Sequence, residues 1–224
     1  MLFDNINFLL RKRGAPPLFG EEFVKLDPTE VWDIVSELSY PFEILNTVDL
    51  EKREKALRST DIKLVVLDVD GVLTDGGMHY HADGSHTKVF NVKDGFAINR
   101  ARKQGIEFAI ISASSQAEAI RLRAETLGIK HVFVGGEPKI QVLETLLYGL
   151  GLAYEQVAFV GDDVNDVPVL QKVGIGAVPS DAVYAAKMAA DIVLGLPGGK
   201  GCVREFLDTY VDVGSDKPVS ESGN

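Results

Sequence analysis

From Lys63 onward, short apolar runs alternate with amphipathic stretches, and this alternation restricts the fold more than any other feature of the chain. Four runs have the length and composition of buried strands: 64–67, 108–111, 132–134 and 157–160. The amphipathic stretches between them lie at 96–102, 117–127 and 140–148. Buried runs separated by helices indicate a parallel sheet that is covered on both faces. The sequence therefore predicts a doubly wound α/β fold, with weaker strands near 175–178 and 192–194.

One segment interrupts this alternation. Two strand-like runs, 78–82 and 85–90, flank Asp83-Gly84. Asp-Gly between two such runs is typical of a β-hairpin. We therefore predict a small hairpin directly after the first strand of the sheet.

Polar side chains follow the strong strands where each one ends. They are Asp68 and Asp70 after the first, Ser112 and Ser114 after the second, Lys139 beyond the third, and Asp162 and Asp163 after the fourth. In doubly wound sheets, ligands bind at the carboxyl ends of the strands, where the strand order reverses. The sequence therefore predicts one site at this edge.

The residue types at this edge suit phosphoryl transfer with a metal ion. Carboxylates about 4 Å apart repel by about 4 kcal/mol at an effective dielectric constant near 20, so the acidic cluster needs a cation. An oxygen-only ligand set suits Mg²⁺. Asp68 is a candidate nucleophile and Asp70 a candidate general acid and base. Lys139 and Ser112 are candidates to bind the transferring phosphoryl group.

The motifs DVDGVLTDG and GDDVND, with Ser112 and Lys139 between them, resemble the haloacid dehalogenase superfamily of phosphatases. Residues 64–207 are more closely similar to the 3-deoxy-D-manno-octulosonate 8-phosphate phosphatases, in the stretches KVFNVKDGFAI, GEPK, VAFVGDDVNDVPVL and GGKGCVREF. This resemblance covers about two-thirds of the chain.

The resemblance implies roles for individual residues. Asp68 would be the nucleophile and Asp70 the general acid and base. Mg²⁺ would be held by Asp68, the backbone carbonyl of Asp70, and Asp162. Asp163 and Asp166 would order the surroundings of the metal, while Ser112 and Lys139 would bind phosphate.

The resemblance also implies an assembly and a substrate class. Members of this subfamily lack a cap domain and are typically homotetramers, in which the hairpin builds subunit contacts and a neighbouring chain closes the site. Their substrates are sugar-acid phosphates. The residues expected near the substrate are Lys93, Ser114, Gly198, Gly199 and Lys200.

Two departures from the subfamily pattern bear on the substrate. Ser112-Ala113-Ser114 replaces the usual Thr-Gly-Arg, or the Thr-Gly-Glu of nonulosonate 9-phosphate relatives, so Ser114 stands where a charged residue faces the sugar. Lys93 stands where arginine is common; it keeps the positive charge but cannot make the bidentate contact that a guanidinium makes with a carboxylate or phosphate. Two substrates therefore stay open, 3-deoxy-D-manno-octulosonate 8-phosphate and a nonulosonate 9-phosphate.

Two other classes of function were weighed. A response-regulator receiver also uses acidic residues, magnesium and a lysine, but its acceptor aspartate follows the third strand, whereas this chain has its DVD motif after the first. A catalytically retired scaffold is favoured only by the altered 112–114 segment and the additional residues 1–60. The pattern favours an enzyme.

Composition and charge indicate which kinds of partner and which cellular compartment to expect. The formal net charge of −10, from 23 basic and 33 acidic residues, argues against a nucleic-acid partner. No apolar run approaches the length of a membrane span, and Cys202 is the one cysteine, so we expect a soluble cytoplasmic protein in which Cys202 is packed.

Three regions are expected along the chain. Residues 1–60 form a helical extension, with one helix near 28–38, residues 61–210 form the phosphatase domain, and residues 211–224 form a flexible tail. His79, His81 and His86 on the predicted hairpin are interpreted as exposed or interface residues rather than zinc ligands.

Overall fold

A six-stranded parallel sheet forms the centre of the protein, seen here in a computed structural model that describes residues 1–84, 86–115 and 117–211. The strands along these residues are β1 (Leu64–Leu67), β2 (His79–Tyr80), β3 (His86–Thr87), β4 (Glu107–Ser112), β5 (His131–Val134), β6 (Val157–Val160), β7 (Ile175–Val178) and β8 (Ile192–Val193). The sheet has the order β5-β4-β1-β6-β7-β8, and β2 and β3 form a separate antiparallel pair. The predicted doubly wound fold is confirmed.

The helices fall into two groups. The first sixty residues contain α1 (Leu2–Lys12), α2 (Gly20–Phe23), α3 (Pro28–Leu38), α4 (Phe42–Thr47) and α5 (Leu50–Leu57). The sheet is accompanied by α6 (Val92–Lys103), α7 (Ala117–Thr126), α8 (Lys139–Leu150), α9 (Val167–Leu170), α10 (Tyr184–Ala189) and α11 (Cys202–Tyr210). Among the described residues, no helix combines the length and the apolar character that crossing a bilayer requires.

Both faces of the sheet are covered, because successive side chains of a strand point to opposite faces. Val65 and Leu67 of β1 belong to a core shared with α6, α7 and α11, which includes the buried Cys202. Leu64 and Val66 belong to a second core, shared with α8, α9 and α10. The expectation of a packed cysteine is confirmed.

The hairpin forms with shorter strands than predicted. His79 pairs with Thr87 and Tyr80 with His86, so the described residues 81–84 lie beyond the end of β2 and do not form a two-residue Asp-Gly turn between the strands. Gly84 has a φ of +83°, which suits a glycine in a loop. Ser85, which was included in the predicted second strand, lies outside the described residues.

The N-terminal helices form a small core of their own and contact the last strand of the sheet. The core contains Ile6, Leu9, Val35, Leu38, Ile44, Leu45 and Leu50. The Tyr40 hydroxyl accepts a hydrogen bond from the amide of Val193 at 3.1 Å, and Lys12 Nζ lies 2.8 Å from the Tyr210 hydroxyl. The extension therefore covers the β8 edge. Of the predicted tail 211–224, only Val211 lies within the described residues.

The order of the strands places a topological switch at β1. From β1 the chain moves outward to β4 and β5, and it then crosses to β6, β7 and β8 on the other side. The carboxyl ends of β1, β4 and β6 are therefore neighbours, which is where such folds bind ligands.

Candidate active site

Asp68 is the first residue after β1, and the sheet fixes its backbone. Its amide donates to the carbonyl of Val160 at 3.0 Å, which continues the ladder between β1 and β6. Gly71 then turns the chain with a φ of +84°, and a Cβ at this position would lie 2.0 Å from Asp162 Oδ2. Only glycine allows the turn after β1 to approach the residue after β6 so closely.

Lys139 connects the nucleophile candidate to a second carboxylate. Its Nζ lies 2.9 Å from Asp68 Oδ2 and 2.6 Å from Asp166 Oδ1, and its side chain is 3 % exposed. Burial acts against the ammonium, but Asp68 and Asp166 outweigh it and raise the pKa of Lys139. Burial also raises the pKa of Asp68, and Lys139 opposes that shift. The lysine is therefore held as a cation beside Asp68.

Asp166 is fully enclosed, and both of its oxygens are used. Oδ1 is paired with Lys139, and Oδ2 accepts from the amides of Asp162 and Asp163 at 2.8 and 3.2 Å. A Cβ at Gly161 would lie 2.5 Å from Asp166 Cγ, so a glycine is needed before Asp162. Asp166 thus orients the loop that carries Asp162.

Within this site, Asp162 has a carboxylate oxygen that lacks a hydrogen-bond partner. Its Oδ1 is buried and has no hydrogen bond among the described residues. Burial, together with the charges of Asp68 and Asp166, raises the pKa of Asp162 to about 7. Oxygens of these three aspartates lie within 4.8 Å of one another. This donor set fits a hard divalent cation. Both oxygens of Asp166 are engaged and Asp68 Oδ2 pairs with Lys139, so Asp162 Oδ1 is the buried oxygen of the set that is left without a partner.

A cavity of about 200 Å³ opens above these groups. Its lining contains most of the predicted site residues: Asp68, Asp70, Ser112, Ser114, Lys139, Asp162 and Asp163, together with Ala113 and Asn165. Ser112 is 3 % exposed, and its Oγ accepts from the Ser114 amide at 3.2 Å. The structure therefore brings together every predicted catalytic and metal-binding residue at the switch point.

Four predicted substrate contacts do not line this cavity. Lys93 is exposed in the first turn of α6. Lys200 is exposed and pairs with Asp75 at 3.5 Å. Gly198 and Gly199 pack against the loop behind the nucleophile, where added Cβ atoms would lie 2.0 Å from Gly71 O and 2.5 Å from Asp75 N. Close backbone packing accounts for a glycine at both positions, and contact of these residues with substrate stays a prediction.

Sequence reasoning missed two residues beside Asp70, Lys88 and Thr74. Lys88, directly after β3, forms an ion pair with Asp70 Oδ1, and Thr74 Oγ1 lies 3.4 Å from the same oxygen. Asp94 is 1 % exposed and accepts from the amide of Arg204 in the first turn of α11, while Asn91 caps α6. Lys88 stands within the motif KVFNVKDGFAI, but nothing in its spacing showed which carboxylate it meets.

The three hairpin histidines have local contacts. His81 Nε2 lies 2.7 Å from Thr87 Oγ1, and the His86 ring packs edge-on against Tyr80 at 4.3 Å between centroids. His79 is exposed at the start of β2. In the described part of the chain, the one cluster of possible metal ligands consists of Asp68, Asp162 and Asp166.

Comparison with known proteins agrees with this geometry. Residues 91–174 match the haloacid dehalogenase-like hydrolases. The chain is 42% identical over 151 residues to the 3-deoxy-D-manno-octulosonate 8-phosphate phosphatase of Escherichia coli K12, which covers 67% of this chain and 80% of that protein. The chain belongs to this phosphatase family.

Solved structures of the family share the fold. The phosphatase of Moraxella catarrhalis, in complex with magnesium ion, phosphate ion and KDO, aligns with a TM-score of 0.69 at 31% identity, covering 74% of this chain and 93% of that one. A cobalt-bound phosphatase of Haemophilus influenzae aligns with a TM-score of 0.66 at 38% identity, covering 70% and 91%. Over its described residues, the protein thus has the fold of this family without a cap domain, and the Moraxella catarrhalis member is known in complex with magnesium and phosphate.

Proposed function

We propose that this protein is a Mg²⁺-dependent phosphomonoesterase that hydrolyses 3-deoxy-D-manno-octulosonate 8-phosphate through an aspartyl-phosphate. The observation that carries the proposal is the pairing of Asp68 with Lys139 at 2.9 Å, beside the unpartnered Oδ1 of Asp162. A buried nucleophile, a fixed cation and an unsatisfied carboxylate at one cavity suit phosphoryl transfer. Identity of 42% to a phosphatase with this substrate supports the choice of sugar.

In the first half-reaction, an oxygen of Asp68 attacks phosphorus and the bond to the sugar oxygen breaks. Asp70 gives its proton to that leaving oxygen, which departs as the alcohol. Lys139 and the Ser112 hydroxyl hold oxygens of the transferring group, because both lie at the cavity with Asp68. The product is an acyl phosphate on Asp68.

In the second half-reaction, water attacks the same phosphorus and gives a proton to Asp70. The bond between phosphorus and the Asp68 oxygen breaks, which restores the Asp68 carboxylate and releases phosphate. Asp70 ends protonated, as it began, so the cycle closes without another proton donor. Lys139 neutralises charge throughout, since Asp166 keeps it in place at 2.6 Å.

Mg²⁺ would be held by carboxylate oxygens of Asp68 and Asp162 and by the backbone carbonyl of Asp70, and it would neutralise charge on the phosphoryl oxygens. Asp163 and Asp166 act around this set. Asp166 fixes the amides of Asp162 and Asp163, while the Asp163 carboxylate accepts from Val164 N at 2.6 Å. Both residues therefore order the loop, and Asp166 has no oxygen left for a metal.

The test of this function is phosphate release from a panel of sugar-acid phosphates with and without Mg²⁺. We expect 3-deoxy-D-manno-octulosonate 8-phosphate to be the best substrate and release to stop with chelator. Asp68→Asn is expected to lower kcat by at least about 10³-fold, because the nucleophile is lost. Asp61→Asn, an exposed change before β1, is the matched control. Activity that survives Asp68→Asn rules out the aspartyl-phosphate.

A second substrate is favoured by one observation. Ser114 lines the cavity where the subfamily carries arginine or glutamate, so the sugar-facing wall lacks the charge that separates the two substrates. A nonulosonate 9-phosphate belongs in the same panel, and faster turnover of that compound would reassign the substrate. The segment 112–114 then becomes the determinant to exchange.

The assembly and the chain organisation complete the proposal. We propose a cytoplasmic homotetramer in which the hairpin contacts a neighbour that closes the site; Tyr80 and Val89 in this region are 67% and 63% exposed. Sugar-facing contacts from Lys93 and from residues 198–200 belong to that closed state. Residues 1–60 act as a helical extension of the phosphatase domain 61–210, and 211–224 as a flexible tail.

A further inference from the structure

The side chain of Lys88 is enclosed, whereas Thr87 and Val89 on either side of it are exposed. Lys88 follows β3 directly, and its side chain is 6 % exposed, whereas the next residue, Val89, is 63 % exposed. A lysine is enclosed in preference to a valine only when its ammonium has a partner there, since burying an unpaired charge is costly. The partner is Oδ1 of Asp70, a residue that lines the cavity.

The contacts of Asp70 are confined to one of its two oxygens. Oδ1 receives both Lys88 Nζ and, at 3.4 Å, the hydroxyl of the buried Thr74. Among the described residues, Oδ2 has no hydrogen bond, and the side chain is 38 % exposed and lines the cavity. The carboxyl group is thus held from one side and presents its other oxygen to a bound ligand.

We propose that Lys88 is a positioning residue that holds the carboxyl group of Asp70 in the orientation needed for proton transfer to and from the reacting oxygens. The inference rests on the proposed function and deepens it. When the bond between phosphorus and the leaving oxygen breaks, Asp70 must place its proton on that oxygen, and the reach for such a transfer is short. Without Lys88, only the longer contact with the Thr74 hydroxyl, at 3.4 Å, restrains Oδ1.

The test compares two substrates that differ in their need for an acid. The leaving group of p-nitrophenyl phosphate departs without a proton, whereas that of benzyl phosphate needs one, and neither substrate carries a carboxylate. The ratio kcat/KM reports the steps up to transfer of the phosphoryl group to Asp68. For Lys88→Met, we expect kcat/KM to fall about 10- to 100-fold for benzyl phosphate and less than about 3-fold for p-nitrophenyl phosphate.

Two further variants complete the comparison. Lys103→Met removes an exposed lysine at the end of α6 and is expected to leave both values unchanged. Lys88→Arg keeps a cation near Asp70 and is expected to restore part of the benzyl phosphate activity. Asp70→Asn gives the upper limit, with the same selective loss but a larger one.

The outcomes separate this inference from the function on which it rests. If the unmodified protein with Mg²⁺ releases phosphate neither from these two substrates nor from any sugar-acid phosphate, the proposed function fails, and this inference with it. If it cleaves both and Lys88→Met lowers both equally, or neither, the positioning role alone is wrong. A loss seen only with sugar-acid phosphates would instead assign Lys88 to the substrate carboxylate, and would also overturn the role proposed here.

Discussion

Lys139 and Asp166 form an ion pair inside the protein, with Nζ 2.6 Å from Oδ1 and side chains that are 3 % and 0 % exposed. The opposite oxygen of Asp166 holds the amide of Asp162, so one carboxylate joins the lysine to the loop after β6. Loss of the lysine would leave Asp68 and Asp166 facing each other without a cation.

We therefore expect Lys139→Met to destabilise the metal-free protein by about 3 to 5 kcal/mol near pH 8, because it leaves buried charges uncompensated. The measurement is the free energy of unfolding in urea. Lys172→Met is the control: its pair with Glu144 is about half exposed on both sides, and we expect no measurable loss of stability. Equal effects of the two variants would contradict the assigned burial.

The raised pKa of Asp162 predicts how stability depends on pH without metal. Folding raises this pKa from 3.8 to about 7, mainly through burial, so the folded state holds the proton more tightly than the unfolded state. The stability from this group is complete below pH 3.8 and is lost as pH rises through about 7. Asp162→Asn removes that loss.

With chelator present, Asp162→Asn should therefore gain stability over the unmodified protein between pH 5 and pH 8. We expect about 1 to 2 kcal/mol at pH 8, less than the full shift implies, because the carboxylate is partly exposed to water. Thermal melts across this range, with Asp61→Asn as control, provide the measurement. Mg²⁺ should stabilise the unmodified protein and not the variant, and the reverse would exclude Asp162 as a ligand.

Because Gly71 lies so close to Asp162, we expect its substitution to lower activity, and Gly105 provides the control variant. Gly71→Ala would place a Cβ 2.0 Å from Asp162 Oδ2 at a φ of +84°, whereas Gly105→Ala has a φ of +94° and open space around the Cβ. Both variants carry the backbone cost, of order 1 to 3 kcal/mol. Only Gly71→Ala displaces the carboxylate, and we expect its kcat to fall at least about 100-fold. Steady-state kinetics beside urea unfolding separates the two effects.

Substitution of Tyr40 is expected to change stability without changing catalysis. Its hydroxyl accepts from Val193 N at 3.1 Å, so Tyr40→Phe leaves a partly buried amide without a partner. We expect a loss of about 1 to 3 kcal/mol in unfolding free energy and no change in kcat. Tyr148→Phe, at a residue that is 94% exposed, should change neither quantity. A fall in kcat for Tyr40→Phe would show that the extension acts on catalysis.

Much of this architecture could be predicted from residue patterns, because the deciding interactions are local. Strands 64–67, 157–160 and 175–178 and helix 28–38 appear at their predicted bounds, since each is an apolar run or a capped amphipathic stretch. The meeting of Asp68 with Asp162 follows from strand topology alone. α6 begins at Val92, earlier than predicted, because Asn91 caps it.

What could not be predicted depends on contacts between distant segments. Lys88 reaches Asp70 only because the hairpin folds back over the end of β1. Gly198 and Gly199 were interpreted as substrate neighbours, yet the packing of their backbone against Gly71 and Asp75 is set by the path of the chain after β8. Neither relationship has a periodicity or a spacing that a single sequence displays.

The hydrogen bond from the amide of Asp68 to Val160 has an evolutionary consequence. It makes the nucleophile part of the sheet, so its position is inherited with the fold and needs no tuning by surrounding loops. Substitutions in the segment 113–115 can therefore change the sugar that is bound while the nucleophile keeps its place in the sheet. A lineage can change what it recognises in small steps while the chemistry stays constant, and Ser114, which lines the cavity, is a position where such a step can occur.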